Sequence, residues 1–134
     1  MRLVVDANIL FAALIKNGKT AEALFQEDIE LHAPTHLHDE LINHLAEIHR
    51  KTSRPDIATT IQHALARITI HELMELRDTW NRAADITPDP KDTAYFALAL
   101  ALSCPFWTNE RGLERQDAVR VVRTEEVLRW IDNK

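Results

Sequence analysis

Four acidic residues stand where the chain changes character. Asp6 directly follows the apolar run Leu3-Val4-Val5 and opens a helical stretch. Glu40 lies within a helix-like segment. Asp92 closes Pro88-Asp89-Pro90-Lys91-Asp92, just ahead of the Ala/Leu-rich run from Thr93 to Leu100. Glu110 closes Trp107-Thr108-Asn109-Glu110, at the end of another apolar stretch. Carboxylates crowded together repel one another, and such an arrangement persists when a hard cation sits among them. A site of three or four carboxylates suits Mg²⁺, which prefers oxygen ligands, better than Zn²⁺, which prefers nitrogen and sulfur. Taken singly, each acid has a plainer role. Asp6 suits a helix N-cap, and Glu40 a boundary position with a solvated head. Asp89 reads as an N-cap with Pro90 at the first helical position, and Asp92 as a complement to the helix dipole. Glu110 reads as an exposed strand-to-loop acid.

The chemistry therefore depends on elements that gather these residues. Arg2–Val5, Ile29–Ala33, Ile68–Ile70, Phe106–Thr108 and Val119–Val122 read as short strands. Between them the pattern is helical at Asn8–Gln26 (broken near Gly18), Thr35–Arg50, Asp56–Ala66, Glu72–Ala84 and Lys91–Leu102, with a last helix over Glu125–Ile131. The alternation predicts an α/β fold, a three-layer sandwich around a mostly parallel central sheet of about five strands. Ligands of such sheets bind at the carboxyl edge, where crossover helices also begin. Asp6, Asp92 and Glu110 all fall at that edge. In Thr35–Arg50 the stripe Leu37, Leu41, Leu45, Ile48 sets the buried face; at about 100° per residue Glu40 borders it and Asp39 points to solvent.

The 134 residues fit one domain, 1–134, and 46% hydrophobic with 28% charged residues is the balance of a soluble globular protein. A single cysteine, Cys104, excludes an intramolecular disulfide and fits a cytoplasmic protein; it reads as a small buried hydrophobe. Phe96–Leu102 is too short to cross a membrane. The net charge of −5 runs against nucleic-acid binding, an objection that cations bound to a carboxylate site partly offset. Basic residues cluster at Arg50, Lys51, Arg54 and at Arg111, Arg115, Arg120, Arg123. Two glycines, Gly18 in the Asn17-Gly18 turn and Gly112, cannot build a Walker-type loop or a dinucleotide fingerprint. An aspartyl phosphatase would need a second Asp where Asn8 stands, and a phospho-receiver an Asp where Ile70-His71-Glu72 ends a strand. His36, Glu40 and His44 share a helix face with zinc-like spacing but lack further ligands, so the histidines read as surface residues. Trp80, Trp107 and Trp130 read as core or interface residues rather than base-stacking platforms.

Arg2-Leu3-Val4-Val5-Asp6-Ala7-Asn8-Ile9-Leu10, His38-Asp39-Glu40-Leu41, Asp89-Pro90-Lys91-Asp92 and Trp107-Thr108-Asn109-Glu110 together resemble the motifs of the PIN-domain family, in the family's order and over nearly the whole chain. The resemblance implies an endoribonuclease using Mg²⁺ or Mn²⁺, with Asp6, Glu40, Asp92 and Glu110 as catalytic metal ligands. Asn8 and Thr108 would hold a carboxylate or a phosphate oxygen from behind. Lys16, Lys19, Lys91 and Arg111 are candidates to meet an RNA backbone. Many relatives are VapC-type toxins, inhibited by a small antitoxin protein and often homodimeric; others process RNA without such a partner. One departure is that the family has Asp where this chain has Glu110; Asp117 is a weaker candidate for that place, since it lies in the segment entering the last strand. An alternative follows from it: a catalytically degenerate PIN-like module that binds RNA or protein.

Overall fold

Leu3, Val4 and Val5 are fully buried, as a strand covered on both faces must be. They form β1 (Arg2–Val5), the central strand of the computed structural model, which describes residues 1–16, 18–52 and 55–133. Asn17 of the expected turn, Ser53, Arg54 of the basic cluster at Arg50, Lys51 and Arg54, and Lys134 lie outside the described residues.

β1 pairs on one side with β2 (Glu30–Pro34), which pairs with β3 (Ile68–His71), and on the other with β4 (Phe106–Trp107), which pairs with β5 (Val121–Val122). Every pairing is parallel, and the order is β3-β2-β1-β4-β5. Val4 thus lies between His32 and Phe106. The five expected strands are all present. The last is shorter than the apolar run because Gln116 takes both backbone groups of buried Val119: its Oε1 accepts from the Val119 amide and its Nε2 donates to the Val119 carbonyl, each at 2.8 Å.

The helices are α1 (Ala7–Lys16), α2 (Lys19–Leu24), α3 (Thr35–Asn43), α4 (Leu45–Lys51), α5 (Ile57–Ala66), α6 (Arg77–Ile86), α7 (Thr93–Leu102) and α8 (Thr124–Asp132). Strand order assigns them to faces. The chain moves one way along the sheet through α1–α2 and α3–α5, and back through α6–α7. Right-handed crossovers then put the first five helices on one face and α6 and α7 on the other. Contacts agree: α1 packs on α2, α3, α4 and α5, while α6 packs on α7, and α7 on β1, β2 and β4. Thr93 to Ala99 are all buried, because α7 is covered by the sheet and by α6 at once. Burying each large aliphatic or aromatic side chain of this core is worth about 1.5–3 kcal/mol.

Two expected helices are divided. His44 leaves the helical conformation (φ −103°, ψ 8°) and separates α3 from α4, although the Leu37–Ile48 stripe continues through the break. The expected helix from Glu72 starts as a 3₁₀ turn, Leu73–Leu76, which leaves Leu73 and Met74 in solvent. A second 3₁₀ turn, Pro90–Asp92, leads directly into α7. Among the described residues, no helix is long and apolar enough to cross a membrane.

Candidate metal centre at the carboxyl edge of the sheet

With all strands parallel, Asp6 after β1, Thr108 to Glu110 after β4, and the first turns of α3 and α7 meet at one edge. Asp6 is fixed through its backbone first. Its amide donates to the Trp107 carbonyl at 3.0 Å, adding a rung to the β1–β4 ladder, and its carbonyl accepts from the Ile9 amide at 3.0 Å as α1 begins. Its carboxylate is buried. Oδ2 accepts the Thr108 hydroxyl at 2.7 Å, and Oδ1 accepts the Asn8 amide at 3.3 Å. Burial raises the Asp6 pKa above the ordinary carboxylate value, against the lowering effect of these bonds. Asn8 therefore supports Asp6 through its backbone, its side chain being at an exposed position.

Asp92 sits at the end of the Pro90–Asp92 turn. Asp89 caps that turn, accepting the Lys91 amide at 3.2 Å, and its carbonyl accepts the Asp92 amide at 2.9 Å. Asp92 is only 6% exposed, and its Oδ2 is buried without a hydrogen-bond partner. Desolvation, then the charges of Asp6, Glu110 and Asp89, push its pKa up to about 7. Asp89, Asp92 and Glu110 each place an oxygen within 4.8 Å of the others. Asp89 was legible in the sequence only as a helix cap; here it is a cap and a member of this group. Its three-residue spacing from Asp92 is the signal that could have found it.

Asp6 and Glu40 stand outside that group: Asp6 acts on Asp92 through its charge, and Glu40 is held from two sides. The Tyr95 hydroxyl donates to its Oε1 at 3.1 Å, and His36 Nε2 lies 3.0 Å from the same atom. Tyr95 is buried and stacked on Phe106. Its pKa is raised by desolvation first, then by the charges of Glu40 and Asp6, so Glu40 and Asp6 share one neighbourhood around this hydroxyl. Sequence reasoning missed Tyr95, which is hidden in an apolar helix. His44 does not extend a zinc-like face: it ends α3 and lies 3.4 Å from Glu47. Nor are all the histidines on the surface. His32 is buried in β2, covered on both faces, with Nδ1 2.8 Å from His71 Nε2.

Of the expected cationic contacts, Lys91 is at the site. Its ammonium lies 3.6 Å from Asp89, and the charges of Asp89, Glu110 and Asp92 raise its pKa. Lys16 closes α1, about 15 Å along the helix from Asp6. Lys19 pairs with Glu22. Asp117 precedes β5, at the opposite edge of the sheet, and is no substitute for Glu110.

The family model described as PIN domain matches residues 4–128. No curated protein matches the sequence. Among solved structures, a chain of the crystal structure of VapBC2 from Rickettsia felis, bound to a DNA fragment from their promoter, superposes with a TM-score of 0.67. The match covers 92% of this chain and 98% of that one at 14% sequence identity, a likeness of fold.

Proposed function

Since this chain belongs to the PIN-domain family, we propose that it is a metal-dependent endoribonuclease that hydrolyses RNA phosphodiesters at the carboxyl-edge acids. The observation that carries this reading is Asp92: a buried carboxylate with an orphaned oxygen, surrounded by Asp6, Asp89 and Glu110. Such a group is costly in a folded protein unless a cation compensates it. The donor set is all carboxylate oxygen, which fits Mg²⁺ or Mn²⁺. Asp6, Asp92 and Glu110 would hold the ion with Asp89, and Glu40 would complete the site from α3. When bound, the ion supplies Lewis-acid stabilisation of charge on the phosphodiester and activation of water.

The chain's own groups prepare that site. Thr108 fixes the rotamer of Asp6. Tyr95 and His36 fix that of Glu40. Lys91 holds a cation at the rim, where an RNA phosphate would arrive. Glu110, although longer than the family's aspartate, reaches Asp89 and Asp92, which supports a working site over a degenerate binding module. The fold likeness to a chain of VapBC2 supports a further reading: this protein acts as the toxin of a toxin–antitoxin pair, restrained by a small antitoxin; its assembly as a homodimer follows from the family resemblance alone.

The test is cleavage of end-labelled single-stranded RNA with Mn²⁺ or Mg²⁺ against EDTA, for the wild type, Asp6→Asn and Asp92→Asn. Metal-dependent cutting that both variants lose is the expected result. Metal binding without cutting across several RNAs would overturn the nuclease and leave the binding module.

A further inference from the structure

Beside the acids lies a pocket of about 570 Å³ lined by apolar Leu73, Met74, Trp80, Pro90 and Ala94. That volume is typical of a small-ligand site. Trp80 was legible as a core or interface residue; at 36% exposure it is not core, and it stands beside Leu73 at 57% and Met74 at 73%. Trp107, by contrast, is fully buried.

Two links join the pocket to the acid site. Pro90 and Lys91 line the pocket and belong to the turn that carries Asp92. His36 lines it too and contacts Glu40. The remaining rim is polar: Thr35, Asp39 and Glu72. Asp39 has no hydrogen-bond or ion-pair partner among the described residues, while Glu72 accepts the Glu75 amide in a capping box.

We propose that this pocket is a base subsite: an unpaired RNA base next to the scissile phosphate stacks on Trp80 and turns an amino-bearing edge toward Asp39. The inference rests on the nuclease reading for what lies beside the pocket, but the pocket has its own chemistry. An aromatic face with apolar walls holds a base by stacking. Carboxylates on the rim accept hydrogen bonds, so they favour the amino group of cytosine, adenine or guanine over the O4 carbonyl of uracil, whose single donor is N3–H. Lys91, between the pocket and the acids, supplies the positive charge for the connecting phosphate. A hydrophobic peptide would use the apolar walls but would leave the carboxylate rim and Lys91 without that pairing.

The experiment measures binding of fluorescein-labelled pentacytidylate and pentauridylate to the full chain in EDTA, where no cutting occurs. Wild type should prefer the cytidine oligomer severalfold. Trp80→Ala should weaken both by roughly tenfold, and Trp80→Phe should restore most of the loss. Asp39→Asn should remove the preference without loss of affinity for the uridine oligomer. Wild-type protein that binds neither oligomer, or Trp80→Ala that binds both unchanged, overturns the subsite. Loss of a protein partner by Trp80→Ala, with oligomer binding intact, also overturns it by giving the pocket to protein. A cleavage assay run alongside separates the two readings. Cutting lost in Asp92→Asn but unchanged in Trp80→Ala keeps the nuclease and removes the subsite. Binding dependent on Trp80 without any cutting keeps the subsite and removes the nuclease.

Discussion

The Thr108 hydroxyl donates to Asp6 Oδ2 at 2.7 Å and accepts the Glu110 amide at 3.2 Å, so one side chain ties the end of β1 to the loop after β4. The direction of both bonds is set, because the carboxylate only accepts and the amide only donates. Thr108→Val keeps the shape and removes both bonds, leaving a buried carboxylate oxygen unsatisfied. It should cost about 1–3 kcal/mol in chemical denaturation. RNA cleavage should fall at least tenfold, while Thr108→Ser keeps most of it. Unchanged cleavage in Thr108→Val would mean that Asp6 needs no such positioning.

Asp92 gives the opposite balance between stability and activity. Its pKa of about 7 lies above the ordinary value of 3.8, so the folded state holds the proton more tightly than the unfolded chain. Stability is therefore greatest at low pH and falls as pH rises from 3.8 to 7, beyond which the full penalty remains. Asp92→Asn removes the charge and should stabilise the metal-free protein at pH 7.5, on the order of 2 kcal/mol. The same variant should lose cleavage, and Mn²⁺ should raise the melting temperature of the wild type only. A less stable Asp92→Asn in EDTA would show that the carboxylate is compensated by the protein itself.

What the sequence made legible follows physical lines. Leu3-Val4-Val5 and Phe106-Trp107 announce themselves because parallel strands covered on both faces must be apolar throughout. Asp6, Asp92 and Glu110 then fall at the carboxyl edge by chain order alone. The break at His44 was hidden, because the apolar stripe on either side keeps helical spacing across it. Asp89 was hidden by its own sufficient role as a cap. Tyr95, Trp80 and the His32–His71 pair were hidden for another reason. Their meaning depends on which residue of a distant element stands opposite: Glu40 for Tyr95, the Pro90–Asp92 turn for Trp80, and the β2–β3 register for the two histidines.

His32 should make the fold acid-sensitive. Burial, and then the charge of His71, lower its pKa below 6.5; Glu30 raises it and Arg2 lowers it further. Its Nε2 lies 3.5 Å from Glu30 Oε1, so Glu30 offsets part of the cost of charging the ring, but burial and the His71 charge outweigh it. Above pH 6.5 the ring is neutral in both states and stability is full. As pH falls through 6.5 the unfolded chain takes up a proton that the folded state refuses, and stability drops until the folded pKa is reached. Asp92 acts in the opposite sense over the same range, so the measurement must be a difference. Urea midpoints of wild type and His32→Asn at pH 7.5 and 5 should show the smaller acid loss in the variant. Parallel shifts would remove His32 from the account.

Glu110 decides whether the departure from the family's aspartate weakens the site or completes it. Its backbone is held on both sides, since its amide donates to Thr108 Oγ1 and its carbonyl accepts from Leu113 at 3.2 Å. The loop therefore has little freedom to advance if the side chain is shortened. Glu110→Asp withdraws the carboxylate by about one carbon–carbon bond, ~1.5 Å, from a group whose oxygens now lie within 4.8 Å of one another. Affinity for Mn²⁺ should drop by roughly tenfold in a calorimetric titration, within the range seen when a metal site loses support. Cleavage should fall at limiting metal and recover at saturating metal, because the ligand is displaced rather than lost. If restoring the family's aspartate instead tightens Mn²⁺ binding and speeds cleavage, glutamate is the weaker ligand at this loop, and the binding-module reading gains ground.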